Sequence, residues 1–347
     1  MTAHTLAAIW RGGEAITVEP VRVPPLCPGE VLVRVRLATV CGSDRHTVSG
    51  RRTQPCPSIL GHETVGQIVS LGTGAPRAVD GRPLREGQRV IWSVTLPCGA
   101  CDRCRAGVTA KCRNVRKAGH EALDSGWTLS GGYAQHVVLP RGLAIAIVDD
   151  DLPDAVAAPA ACATATVMAV TERAGPMAGR RVIVIGAGML GLAAVAAATW
   201  AGAARVLAVD PAPARRTLAQ RFGATAVRPS ISEDDKCDVL LEFSGSPAAL
   251  QAGMGTLDVQ GMGVLAGSVL PGAPISVDPE SVVRRQLCIA GVHNYEPRHL
   301  GAALDFLRAT LDRFGWPELV AAPKQLDDVG ALLTASAGAM PRYSIAP

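Results

Sequence analysis

The run Val182-Ile183-Val184-Ile185-Gly186-Ala187-Gly188-Met189-Leu190-Gly191 decides the fold of this chain. Four β-branched apolar residues read as a buried strand, and the Gly-x-Gly-x-x-Gly that follows opens an Ala-rich helix over 190–201. Each glycine has its own task. Gly186 permits the tight turn, Gly188 lets a pyrophosphate approach the backbone, and Gly191 lets the helix lie close to the strand. Met189 and Leu190 complete the loop, whose first-turn N–H groups suit phosphate. Asp210 ends the next strand, 19 residues past Gly191. A carboxylate there accepts from both ribose hydroxyls and repels a 2′-phosphate, so the expected cofactor is NAD. Arg215 and Arg216 lie one helical turn beyond and keep NADP as the lesser choice.

Outward from this unit the pattern alternates. Strand-like runs at 205–209, 239–243, 263–266 and 287–290 are interleaved with helix-like runs at 212–222 and 247–257. That alternation predicts an α/β doubly wound parallel sheet with helices on both faces. Ser244 and Gly267 follow its fourth and fifth strands, where loops face a ligand, and are expected to bind the cofactor. The first 150 residues read differently. Val31-Leu32-Val33-Arg34-Val35-Arg36-Leu37 alternates with the period of a half-buried strand, and Gly/Pro turns separate similar pieces. The stretch 154–170 is helical in character, and a helix over 298–314 returns to the first domain.

With 48% hydrophobic and 18% charged residues in 347, the chain buries a large core, which excludes disorder as its main state. A net charge of +4 with no basic face gives no case for nucleic acid. The stretch 182–204 carries no charge and is as long as a membrane helix, but Gly186, Gly188 and Gly191 interrupt it, so no membrane partner is expected. The N-terminus lacks the pattern of a secretory signal. A cytoplasmic location is therefore expected, and ten cysteines read as metal ligands or free thiols rather than disulfides.

Cys98-x2-Cys101-x2-Cys104-x7-Cys112 supplies four thiolates in 15 residues, the pattern of a closed, tetrahedral structural zinc. A ferredoxin-type run continues with x3-Cys-Pro, and this one does not. A second group is scattered: Cys41 and His46 in Cys-Gly-Ser-Asp-Arg-His, His62 and Glu63 in Gly-His-Glu, and Cys162 in the Ala-rich segment. Two thiolates and one imidazole suit a zinc site with an open fourth position, although spacing alone leaves buried structural cysteines as the alternative.

These pieces together resemble the zinc-dependent medium-chain alcohol dehydrogenases. The resemblance spans Pro28-Gly-Glu-Val-Leu-Val-Arg-Val35, both metal motifs, Gly131-Gly-Tyr-Ala134 and the dinucleotide unit. It implies a GroES-like catalytic zinc domain over 1–152 and 295–347 around a Rossmann NAD-binding domain over 153–294. It further implies Cys41, His62 and Cys162 as catalytic-zinc ligands, with Glu63 either just outside the ligand set or an alternate ligand. Two zinc ions per chain follow. Asp44 would orient His62, and Ser43 and His46 would relay the proton. The loop 291–299 would lie near the nicotinamide, with Arg52, Val94, His293 and Asn294 facing substrate. The partner is then a small alcohol or carbonyl compound, and the chain a homodimer or homotetramer. A narrower resemblance, resting on 40–52 and 291–295, is to a subgroup associated with phosphonate catabolism. An Arg at position 52 suits an anionic hydroxy compound better than a simple alcohol, unless it points to solvent. Two rival classes are a reductase of the same fold acting on an activated C=C or C=N bond, and a non-catalytic nucleotide- or zinc-binding protein. The complete set Cys41, Ser43, His46, His62 and Cys162 speaks against both.

Overall fold

The computed structural model describes residues 4–74, 76–335 and 340–347. Two compact units emerge. The first comprises Met1–Ala165, Asn294–Ala309 and Trp316–Pro347, and the second Thr166–His293 and Thr310–Gly315.

The first unit is β-rich. Val31–Thr39 is its central strand, pairing antiparallel with Glu63–Leu71, His136–Leu139 and the short Ser344–Ile345. Arg89–Trp92 and Ile145–Val148 extend the same sheet beyond Glu63–Leu71. The expected alternation holds: Val31, Val33, Val35 and Leu37 are buried, and Arg34 and Arg36 are exposed. The buried valines join Trp92, Leu139 and Ile145 in the core of this unit. The second unit has a parallel sheet ordered Ala226–Arg228, Arg205–Val209, Arg181–Ile185, Cys237–Glu242, Leu257–Leu265, Cys288–Gly291. This is a doubly wound order with its switch point beside Arg181–Ile185, the strand that precedes the Gly-rich turn.

That turn is built as the glycines require. Gly186 has φ +89°, and a Cβ on Gly191 would lie 1.7 Å from the Gly186 carbonyl oxygen. Ile183, Val184 and Ile185 are at most 2% exposed, so each contributes about 1.5–3 kcal/mol by burial. The uncharged stretch 182–204 is thus a strand, a turn and the helix Met189–Trp200, not one continuous span. The 21-residue helical segment Asp154–Ala174 has the length and apolarity of a membrane span, yet 61% of its apolar 18-residue stretch is buried in the protein.

Three boundaries differ from the sequence reading. The units divide after Ala165 rather than at 152, because the helix Asp154–Pro159 packs on Val31–Thr39 and Glu63–Leu71. The C-terminal return begins at Asn294, not at 295. Residues 310–315 belong with the second unit, where Phe314 stacks on Phe222 with ring centroids 5.7 Å apart.

Candidate active site

Three elements of the first unit converge on one point. Cys41 caps the helix Gly42–Val48 just after the central strand Val31–Thr39, and His62 immediately precedes the strand Glu63–Leu71. Cys162 lies on a π-helical turn, Ala160–Thr164, that interrupts the Asp154–Ala174 segment directly after Pro159. Proline has no N–H to give the helical ladder, and the widened turn that follows re-aims the side chains it carries. The ligand atoms of Cys41, His62 and Cys162 all lie within 4.8 Å of one another.

The surroundings fix this group. His62 Nδ1 sits 3.3 Å from Asp44 Oδ1, a bent contact better described as electrostatic than as an aligned hydrogen bond. Asp44 Oδ2 accepts from the Cys41 N–H at 3.2 Å and from the Tyr133 hydroxyl at 3.0 Å. Burial disfavours a charged His62, but Asp44 and Cys41 outweigh it and raise its pKa well above the ordinary value. Ser43 Oγ lies 3.3 Å from His62 Nε2. The hydrogen bond between the two thiols, with Arg342 assisting, pulls the Cys41 pKa far down, and the same bond pushes Cys162 up. His46 is half-buried, and burial together with Arg51 and Arg52 lowers its pKa.

Glu63 stands apart from the ligand group. Its Oε2 accepts from Arg342 Nε at 2.6 Å and Thr39 Oγ1 at 2.7 Å, and its Oε1 from Arg342 Nη2 at 2.8 Å. With both oxygens engaged, the expectation of Glu63 as an alternate metal ligand is not met in this geometry. Arg342, 7% exposed, also donates to Cys41 Sγ at 3.7 Å. No motif marks Arg342. It arrives because Ser344–Ile345 pairs with the end of the central strand, which only tertiary structure reveals.

Cys98, Cys101, Cys104 and Cys112 form a second group, their sulfurs also within 4.8 Å of one another. Two separations are 3.5 and 3.8 Å. A tetrahedron with bonds of about 2.3 Å sets its sulfurs about 3.8 Å apart, so the four fit zinc. Backbone N–H groups of Arg113 and Cys104 lower Cys101 to about 6, as a metal-binding thiolate requires. The lobe is anchored by Glu296, whose carboxylate accepts from Thr109 N at 3.0 Å and Ala110 N at 3.1 Å.

The remaining expected residues fall as follows. Val94 is buried, its carbonyl bonded to Ala118 N at 2.9 Å. His293 belongs to the second unit and Asn294, with φ +61°, to the first. Tyr295 is buried and its hydroxyl donates to the Ala161 carbonyl, in the turn that carries Cys162. His120 faces the metal-ligand group, its ring 5.1 Å from that of His62, whereas Glu121 pairs with Arg116 at 2.9 Å.

In the second unit, Gly188 precedes the helix Met189–Trp200 without a side-chain cap, which leaves the first-turn N–H groups for phosphate. Asp210 accepts from Ala187 N at 2.8 Å and from Ala212 N at 2.9 Å, and Arg215 approaches it to 3.8 Å. Glu242, fully buried, accepts from Ser244 Oγ at 2.9 Å and Gly267 N at 3.2 Å, so one carboxylate ties together the two loops expected at the cofactor. The sequence reading did not single out Glu242.

Comparison with known proteins agrees with this fold. Residues 27–149 match the model of the alcohol dehydrogenase GroES-like domain, and residues 190–309 that of the zinc-binding dehydrogenases. The chain is 32% identical to 5-exo-hydroxycamphor dehydrogenase of Pseudomonas putida over 90% of each chain. Among solved structures, an alcohol dehydrogenase of Thermotoga maritima superposes with a TM-score of 0.90 at 24% identity, covering 99% of both chains. A zinc-binding dehydrogenase of Sinorhizobium meliloti, solved with NADP, gives 0.88 at 25% identity over the full length of both.

Proposed function

The chain belongs to the zinc-dependent medium-chain alcohol dehydrogenase family, and from that premise we propose that it oxidises an anionic hydroxy compound, such as a hydroxyalkylphosphonate, with NAD as the preferred hydride acceptor and two zinc ions per chain. The observation that carries the reading is the meeting of Cys41, His62 and Cys162 with the Ser43 hydroxyl at His62 Nε2.

When bound, zinc supplies Lewis acidity to a hydroxyl oxygen and the nicotinamide accepts hydride. Cys41, His62 and Cys162 hold the catalytic ion, and the four-cysteine lobe holds the structural one. Ser43 Oγ accepts the substrate hydroxyl proton, and His46, whose pKa burial and the neighbouring Arg51 hold below the ordinary value, takes it onward to solvent. Asp44, fixed by the Cys41 N–H and the Tyr133 hydroxyl, orients the His62 ring. Arg342 neutralises Glu63 behind the ligands and lowers the cost of a buried thiolate at Cys41. Arg52 contacts the anionic group of the substrate.

Asp210 supports NAD over NADP, since its carboxylate would meet a 2′-phosphate, although Arg215 at 3.8 Å offsets part of that repulsion. The strand Cys288–Gly291 ends the parallel sheet with Cys288 and Ile289 exposed, which supports pairing of two copies along that edge. Ten free cysteines suit a reducing cytoplasm.

The test is a panel of neutral and anionic hydroxy compounds with NAD and with NADP, with and without a chelator. The expected outcome is chelator-sensitive turnover, with a higher kcat/KM for NAD and for anionic substrates. Chelator-resistant activity on an activated double bond would instead assign the chain to the reductases.

A further inference from the structure

Two cations beside the ligand group attract notice together, because the loops that carry them are tied to each other. Arg52 follows the helix Gly42–Val48, its N–H bonded to the His46 carbonyl at 3.0 Å. Lys117 ends the short strand Arg116–Lys117, which pairs with Thr95–Leu96. Gln54 Nε2 donates to the Gly119 carbonyl at 3.2 Å, joining the two loops. Gly119, at φ +70°, packs so closely that a Cβ would come within 2.5 Å of the Gly61 oxygen. Since His62 follows Gly61, the same contact sets residues 117–120 against the ligand group.

Both cations are half-buried, and among the described residues neither side chain has a hydrogen-bond or ion-pair partner. Burial, then Arg52 and Lys111, lower the Lys117 pKa, with the Cys162 sulfur acting the other way. Two partly desolvated like charges with no carboxylate between them oppose folding, and an entering anion relieves the repulsion.

We propose that Arg52 and Lys117 together form an anion subsite beside the Cys41–His62–Cys162 group that takes a doubly charged tetrahedral head, a phosphonate or phosphate monoester, on the hydroxy substrate. The inference rests on the dehydrogenase reading above and adds Lys117 and the charge of the head group to it. Two unpaired cations match a dianion, whereas a carboxylate would leave one of them unneutralised. The Arg52 fork binds two oxygens and Lys117 the third as a point charge.

The experiment compares a hydroxyalkylphosphonate, the matching hydroxy acid and the matching neutral diol in the wild type, Lys117→Gln and Arg52→Gln, with the exposed Lys324→Gln as a control for net charge. In the wild type kcat/KM falls in that order. In either subsite variant the ratio of phosphonate to diol drops about 10- to 100-fold through substrate KM, with cofactor KM unmoved. The inference is overturned if the diol is the best substrate, if the preference survives both substitutions, or if cofactor KM rises instead. Should no hydroxy compound reduce NAD or NADP, the dehydrogenase reading fails by itself. Calorimetric titration of an alkylphosphonate into the zinc-loaded protein then decides the subsite: saturable binding that weakens about tenfold or more in Lys117→Gln supports it, and equal or absent binding overturns it.

Discussion

The two cysteine groups share a ligand chemistry and are assembled in opposite ways. Cys98 to Cys112 come from 15 consecutive residues, and backbone N–H groups of the same loop hold their sulfurs. Cys41, His62 and Cys162 span 122 residues and come from a helix cap, a strand start and a π turn. The lobe sits partly exposed, while Cys41 and His62 are buried with a fixed set of acids and one arginine around them. A closed metal site is a local folding problem. A site meant to leave one direction for substrate needs ligands that approach from separate elements, and so needs the whole first unit.

The sharpest way to break this contrast is to remove one sulfur from each group. Cys41→Ser should abolish turnover and cut zinc from two ions to one per chain with little change in Tm. Cys101→Ser should lower Tm and expose the lobe to protease. Elemental analysis with thermal melts separates them, and identical losses in both variants would void the distinction. Next in size, Arg342→Met strands the Glu63 carboxylate in a dry interior and should cost about 3–5 kcal/mol in denaturant unfolding. Zinc in the lobe should survive, so a variant that keeps wild-type stability contradicts the structural weight given to this pair. Ser43→Ala should lower kcat by about 10²–10⁴-fold while both zinc ions and cofactor affinity are retained. Full activity would remove Ser43 from the proton path. The smallest effect is expected for His46→Gln, about tenfold or less in kcat, because solvent substitutes for a half-buried relay group. A loss as large as that of Ser43→Ala would mean that water does not reach the relay.

The same contrast explains what could be read without coordinates. The lobe and the Gly-rich turn are visible because their residues are neighbours in the chain, and each residue type answers a local requirement, as Gly191 does against the Gly186 carbonyl. The strand 31–37 was legible from its two-residue period. The short strand Ala226–Arg228 and the helix Pro279–Arg285 were not, having little periodic apolar signal. The reach of the strand Leu257–Leu265 before residue 263 was missed because Asp258 and Gln260 break its pattern. In the site, motif residues were legible and their supports were not. Arg342, Glu242 and Lys117 belong to no spacing rule, and they matter only because sheet pairing or a loop contact delivers them. The π turn at Cys162 is hidden for the same reason, since an Ala-rich run reads as plain helix.

The pairing of Glu63 with Arg342 has a consequence in time as well as in space. The two residues are separated by 279 positions. At a synthesis rate of about 5–20 residues per second, roughly 15–55 s pass between the appearance of the carboxylate and that of Arg342. Until then Glu63 has no guanidinium to offset its removal from water, and the sheet that carries it has not received the strand Ser344–Ile345. The nascent chain can thus bring the four sulfurs of its lobe together early and add the Glu296 anchor later, whereas the buried polar floor beneath Cys41 is among the last parts of the molecule to close.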